Sequence, residues 1–363
     1  MSDFYSPTAF YCIALRHCLR AALVVAGCLL AVRSPAQYLG GRYGFSFLRL
    51  PTHAPLAALG GVNVSQRDRN VNFFLSNPAL LSEETDKNVS LNYSPYYAGI
   101  AHSSVAYADR HGKAGHWGAA SQYLDYGTME ETDATGAVLG TFSAREYAAV
   151  LGYAHTLAPY TLGVNLKLAG SHLAEYSAFA ALLDIGGVFK HPVHDWTLGL
   201  LIRNAGFNLK QYTPGAQTPL PFDVQLGTSF KPKFMPLRFT LTAHHLHRFD
   251  IAHDDPSLRT TIDQNGKEVA QKTTFADKLA RHFSFGTELS LGKPLKIMAG
   301  YNHLARREMR LEERPAGAGF SLGAALQVKA FGLAYARFFQ HSGGGVSYLT
   351  LTGNLKNFGG KKL

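Results

Sequence analysis

Cysteine is nearly missing from this chain. The three present, Cys12, Cys18 and Cys28, all lie upstream of residue 36. Everything after them is free of thiols, which excludes a disulfide framework or a thiolate metal site from the rest of the protein. Charge is also scarce, at 17 % Asp, Glu, Lys and Arg, against about 25 % in an average soluble domain. What charge there is leans basic, with a formal net of +10. That balance bears on association with anionic lipid or lipopolysaccharide and leaves the fold open. No apolar run reaches the roughly 20 residues that a bilayer-crossing helix requires. No H-E-x-x-H or G-x-x-x-x-G-K-[ST] occurs, so zinc-peptidase and P-loop chemistry have no candidate residues.

The N-terminus reads as an export signal. Arg16 and Arg20 lead into a short apolar run at 21–32, and Ser34, Pro35 and Ala36 supply the small residues of a cleavage site. Residues 1–36 are therefore expected to be a signal peptide. Two other readings stay open: a membrane anchor, for which the run is short, and lipoprotein processing at Val25-Ala26-Gly27-Cys28. A chain exported in this way is not expected to meet nucleic acid.

From residue 89 onward the dominant period is two. In 89–94 the odd positions Val89, Leu91 and Tyr93 are apolar and the even ones polar. In 320–329, Phe320, Leu322, Leu326 and Val328 oppose Ser321, Gly323, Gln327 and Lys329. Alternation over such lengths marks strands with one apolar face. Further runs at about 103–110, 115–124, 140–155, 162–168, 176–190, 195–203, 223–230, 237–246, 282–291, 295–303, 331–340 and 346–356 bring the total to about fourteen. No long amphipathic helix interrupts them, which excludes a βαβ architecture.

The polar face carries mostly Gly, Ser, Thr, Asn and Gln, whereas the outside of a soluble sandwich is rich in Lys and Glu. Aromatic residues such as Tyr93, Tyr123, Tyr147, Tyr153 and Tyr301 sit near strand ends. These are the marks of a transmembrane barrel with aromatic girdles, and strands in lipid must close because an open edge would leave backbone groups unpaired. The fold expected is all-β: a transmembrane antiparallel β-barrel of about 14 strands at 88–363, preceded by an N-terminal lumen or plug segment at 37–87. That segment has one short helix, where Asn77 caps a turn opened by Pro78. A soluble propeller should repeat every 40 to 50 residues, and no such repeat is present.

Candidates for chemistry are few. On a strand, His245 and His247 would share a face and His244 would oppose them, so a lumen or interface role outweighs metal binding. Ser290 and Lys293 have S-x-x-K spacing, but the serine closes a strand and Pro294 follows. Asp125, Glu130, Glu131 and Asp133 cluster as at a solvated hairpin tip. No catalytic, metal or cofactor residue is expected, and the protein is read as a non-enzyme. Short turns at 109–113, 158–160, 191–195 and 292–294 contrast with long connections at 204–222 and 250–280. The long ones are the expected outer loops, which makes Tyr212, Asp254, Asp255, Asn265, Lys267 and Lys278 candidate partner contacts. Phe45, Phe47, Arg49 and Asn77 are the candidate plug and lumen residues.

Several stretches form an ordered set with a known counterpart: Phe47 to Pro51, 57–65, Asn77 to Leu81, 91–93, 98–100, 202–206, 219–227 and 235–247. Together they resemble the PorQ family, outer-membrane components of the type IX secretion system. The resemblance implies a fourteen-stranded barrel similar to the long-chain fatty-acid transporters, with its N-terminal segment folded against or into the lumen. It also implies outer-membrane lipid, a PorZ-like surface protein and other type IX secretion components as partners, and a role in attaching exported cargo at the cell surface. The last aromatic, Phe358, stands five residues from the end, whereas many such barrels finish on one. The competing expectation is a transporter of a hydrophobic small molecule, with Phe45, Phe47, Leu48 and Leu50 on a plug that moves.

Overall fold

The computed structural model describes residues 43–357 except 112–114, 216–217, 252–259, 263–267, 271–273, 293, 309–316 and 342–343. The expected signal, the Cys28 alternative and Phe358 lie outside the described residues. In chain order the strands are β1 (Asn88–Pro95), β2 (Ala101–Arg110), β3 (His116–Thr132), β4 (Val138–Leu157), β5 (Tyr160–Leu173), β6 (Tyr176–Lys190), β7 (Asp195–Lys210), β8 (Asp223–Lys231), β9 (Leu237–Ala243), β10 (Thr260–Ile262), β11 (Glu268–Ala270), β12 (Phe283–Leu291), β13 (Leu295–Asn302), β14 (Phe320–Val328), β15 (Phe331–His341) and β16 (Gly344–Asn354). All but β10 and β11, which pair with each other, form one closed antiparallel barrel of 14 strands. Closure runs through β1 and β16, where Asn88 faces Asn354 and Tyr93 faces Leu349.

The alternation read from sequence decides which side faces what. Leu91, Leu151, Leu166, Leu200, Leu322 and Leu333 are exposed on the outer wall, while Ser90, Asn92, Asn165, Thr240, Ser321 and Thr350 are buried inside. Apolar-out and polar-in is the reverse of a soluble protein and is the pattern of a barrel in lipid. Register places the aromatics in two rows. Trp117 sits beside Tyr153, and six residues further along the same strand Tyr123 sits beside Tyr147. At about 3.3 Å per residue the two rows are roughly 20 Å apart along the strands.

The two ends differ. At the end where β1 begins and β16 finishes, β4 and β5 are joined only by Ala158 and Pro159, and β14 and β15 by Lys329 and Ala330. The opposite end carries the connections at 211–222, 244–282 and 303–319, and is assigned to the cell exterior. The wall is uneven as well. β3 and β4 run for 17 and 20 residues, whereas β8 and β9 have 9 and 7. Above the Tyr123–Tyr147 row, β3 and β4 therefore rise as a two-stranded ribbon, with Glu130 and Glu131 against Thr141 and Gly140.

Residues 43–87 fill the lumen. They contain α1 (Ala54–Ala58) and 3-10 turns at Ser46–Arg49, Val71–Leu75 and Pro78–Leu80. The last turn is capped by Asn77, whose side chain accepts from the Ala79 amide at 3.0 Å. Two further short helices, α2 (Phe275–Ala280) and α3 (His303–Glu308), lie in the outer connections. No helix among the described residues is long and apolar enough to cross a membrane.

Candidate functional site

The plug descends from the outer mouth to the periplasmic end in three zones of different chemistry. At the mouth, Phe45, Phe47 and Leu48 are buried in an apolar cluster with Leu124, Ala148, Ala180 and Leu182 of the wall. Tyr126, Tyr212 and Leu220 close over it. The phenol of Tyr126 donates to Glu146 at 2.7 Å, and that of Tyr212 to Ser171 at 2.5 Å. Short wall residues leave the room that the plug's aromatic rings occupy.

Directly beneath lies a buried ionic group. Lys167 on β5 meets Asp184 on β6 at 2.6 Å, with side-chain exposures of only 2 % and 1 %. Its ammonium also donates to Asn204 at 2.9 Å, and the Asn204 amide returns to Asp184 at 2.8 Å. Asn204 has φ +56° at a bulge in β7, and that twist turns Arg203 toward the plug. The guanidinium of Arg203 donates to the Leu48 carbonyl at 2.6 Å. Its Nε has no hydrogen-bond partner among the described residues.

The histidines complete this group. Strand β9 ends at Ala243, short of the expected 246, because His245 takes φ +59°. The alternation rule therefore stops applying there. His244 and His245 meet ring to ring, Nδ1 to Nδ1 at 2.5 Å, and His245 also bonds Arg49 of the plug. The His245 amide donates to Asp223 at 2.6 Å, and His247 stands 3.7 Å from the same carboxylate. Burial lowers His244 to about 4 and His245 to about 3, against the pull of Asp223. Both rings are therefore neutral at pH 7. No metal-binding group of His, Cys, Asp or Glu is found among the described residues.

The middle zone is a close fit of plug on wall. α1 rests on β14 and β15, where a Cβ on Gly323 would come within 2.7 Å of Ala58. The Ala54 amide donates to Thr350 at 2.9 Å and the Gly60 amide to Ser321 at 3.1 Å. Asn77 donates to the Val64 carbonyl at 2.8 Å, which ties two passes of the plug together. Residues 319–323 spell Gly-Phe-Ser-Leu-Gly, the spacing of a hydrolase nucleophile elbow. Ser321 lies on the inner face of a regular strand, donating to the Ala58 carbonyl at 2.8 Å. It has neither the strand-to-helix turn nor the histidine that such chemistry requires.

At the periplasmic end, Asp68 pairs with Lys296 at 2.7 Å, and Lys296 reaches Glu288 at 3.2 Å. Gln66 donates to the same Glu288 at 2.8 Å. Burial alone would push Asp68 up, but the Lys296 ammonium overrides it and holds the carboxyl below its ordinary value. A cavity of about 590 Å³ opens beside this latch, with Arg67, Arg69, Lys231 and Arg238 in its wall.

Of the residues chosen from sequence, Phe45, Phe47, Arg49 and Asn77 are all in the lumen at plug–wall contacts. Tyr212 belongs to the mouth cluster and reaches inward. Lys278 is at the outer end, paired with Asp250 at 2.6 Å. Asp254, Asp255, Asn265, Lys267 and Lys293 lie outside the described residues. Sequence reasoning missed Lys167, Asp184, Arg203 and Asp223. Their signal was present, because an ionisable residue at an inward position of a membrane strand is a functional candidate by default.

No protein-family model and no curated protein matches the chain. Among solved structures, a deltaS2 mutant of the TodX monoaromatic hydrocarbon channel aligns at TM-score 0.49 with 14 % identity, covering 84 % of this chain and 97 % of that one. The toluene transporter TodX of Pseudomonas putida gives 0.48 with 14 % identity, covering 84 % and 97 %. A FadL homologue of Pseudomonas aeruginosa gives 0.45 with 11 % identity, covering 84 % and 98 %. Likeness at this level carries no functional argument, so function rests on the residues described above.

Proposed function

We propose that the protein is a gated conduit of the outer membrane for an amphipathic solute with an apolar body and an anionic head, a fatty acid being the simplest case. Residues 43–50 stand in for that solute while the lumen is closed. One observation carries the reading: Phe45, Phe47 and Leu48 fill the apolar mouth while the Leu48 carbonyl occupies Arg203 at 2.6 Å. A carboxylate offers two oxygens where the carbonyl offers one, and the unpartnered Nε of Arg203 would take the second in a bidentate pair. Arg49, Lys167 and Arg203 outnumber Asp184 and Asp223, so the group has room for one more negative charge. Below the mouth, plug and wall meet through hydrogen bonds and through two apolar clusters, one with Leu59, Phe73 and Leu80 and one with Val71, Phe74 and Leu81.

The test is uptake into proteoliposomes of a labelled long-chain fatty acid beside the matching alcohol. A hydrogen bond to a charged group contributes about 1.5–3 kcal/mol, so Arg203→Met is expected to lower fatty-acid uptake roughly 10- to 100-fold and leave the alcohol unchanged. Equal loss of both, or no uptake by the parent protein, contradicts the reading.

A second reading is favoured by a different part of the molecule. The β3–β4 ribbon stands above the upper aromatic row with Val138 and Leu139 exposed at its tip. That suits the PorQ-like role of holding a PorZ-like surface protein, which belongs to this ribbon and the outer connections and leaves the lumen out of account.

A further inference from the structure

The outer wall of the barrel has one feature that neither transport through the lumen nor a surface partner uses. Across β8, β9, β12, β13 and β14 runs an apolar groove of about 450 Å³. Its rims are aromatic, with Phe230, Phe239, Phe285, Tyr301 and Phe320, and its floor is kept low by Thr228, Thr287, Ala299, Gly286 and Gly300. The rim rings are outward positions of the strands, so the groove faces the hydrocarbon of the membrane.

Two of its rim residues lead directly to cations. Phe320 is the first residue of β14, at the outer end, and the Arg306 guanidinium lies over its ring at 5.6 Å. Tyr301, the penultimate residue of β13, bonds His303 through its hydroxyl at 2.7 Å. His303 continues to Asp277 at 3.2 Å, and the same carboxylate holds Arg307 at 2.7 Å and Arg281 at 2.8 Å. Asp277 therefore fixes the positions of two guanidinium groups beside the groove's outer end. Among the residues described at 248–251, 274–282 and 303–308, Arg248, Lys278, Arg281, Arg306 and Arg307 outnumber Asp250, Asp277 and Glu308.

We propose that this groove and rim form a binding site for a phosphorylated acyl lipid of the outer leaflet, of the lipid A type. An acyl chain occupies the groove and a sugar-linked phosphate meets Arg306 and Arg307. The pairing follows from position: groove and cations are continuous through Phe320 and Tyr301, and they meet at the level where headgroup phosphates begin. A fixed guanidinium is suited to phosphate oxygens in a way that a mobile surface lysine is not. The wall is also shortest at β8 and β9, which brings the groove within reach of the outer rim.

The experiment uses the full chain in phosphatidylcholine nanodiscs doped with lipid A, or with lipid A stripped of its phosphates, read by native mass spectrometry after detergent exchange. The parent protein is expected to retain one lipid A and to hold the dephosphorylated form at least tenfold less. Ala299→Phe and Thr228→Phe each fill the groove from a different strand and should abolish retention of both forms. Arg306→Gln with Arg307→Gln should lower retention of lipid A to that of the dephosphorylated form. Leu151→Phe on the opposite wall should change nothing, and unchanged heat-modifiable migration on gels shows that each variant is folded. Equal retention of the two lipids by the parent protein, or full retention by folded groove-filled variants, overturns the proposal.

Discussion

Replacing Gly163 with valine is expected to convert a silent barrel into a conducting one. Gly163 lies on the inner face of β5, and a Cβ there would sit 2.5 Å from the carbonyl carbon of Pro78 and 2.6 Å from the Ala79 nitrogen. Both are backbone atoms of a capped turn that cannot shift locally, because Asn77 binds the Ala79 amide on one side and the Val64 carbonyl on the other. Something larger has to move. The strand is held by hydrogen bonds to β4 and β6 along most of its length, and breaking them would expose backbone groups to lipid at several kcal/mol each. The plug turn is held by the packing of Ala79 and Leu80 and by the hydrogen bonds of Asn77, with no strand ladder of its own, so it is the element that lifts. In planar bilayers the variant should show steady ion conductance where the parent protein shows almost none. A variant that folds and stays silent would mean that the wall yields before the plug does.

Acid is expected to open the parent barrel, through His53. This ring is fully buried at the start of α1, edge-on to Phe73 at 4.8 Å, and its Nε2 has no partner among the described residues. Burial lowers it from 6.5 to about 3, against the weaker pull of Asp68. The docked plug therefore keeps His53 neutral, while a released plug in water takes up a proton once the pH falls below 6.5. The stabilisation is full above that value and is lost progressively as the pH drops toward 3. At a pH of about 4.5 the difference amounts to about 3 kcal/mol, or roughly 100-fold in the frequency of opening. Asp68 adds little in this window, because its carboxyl loses its proton below 3.8 in either state. His53→Gln should flatten the response by that factor, leaving the part due to His244 and His245. An identical acid response in the variant would remove His53 from the account.

The barrel was legible in the sequence because one rule governs every strand. Alternation recurs fourteen times, and outward leucines against inward Ser, Thr and Asn leave only a lipid-facing wall as a consistent solution. Strand ends were less legible. β4 extends back to Val138 because the ribbon above the membrane pairs without needing a strict apolar period, and β7 runs on to Lys210 beside β6, past a bulge that interrupts its alternation. β9 stops early at Ala243 because of the backbone angle of His245, which leaves no trace in hydrophobicity. The plug was legible only in outline. Asn77 announced its turn by local capping chemistry, whereas α1 (Ala54–Ala58) has only five residues and too little length to show a period. The ionic group under the mouth was hidden for another reason. Lys167, Asp184, Arg203 and Asp223 lie on four successive strands, and only the pairing register of those strands, with the bulge at Asn204, brings them together.

Hydrogen exchange of backbone amides, measured on the barrel in nanodiscs with and without a long-chain fatty acid, tests displacement of the plug most directly. The amides of Gly44, Leu48 and Leu50, bonded to Pro219, Phe45 and Phe47 in the closed state, should exchange much faster when the fatty acid is present, while strand amides stay protected. If those three amides keep their protection at concentrations where the fatty acid is bound, the segment does not give way to solute and the gated-conduit account is wrong.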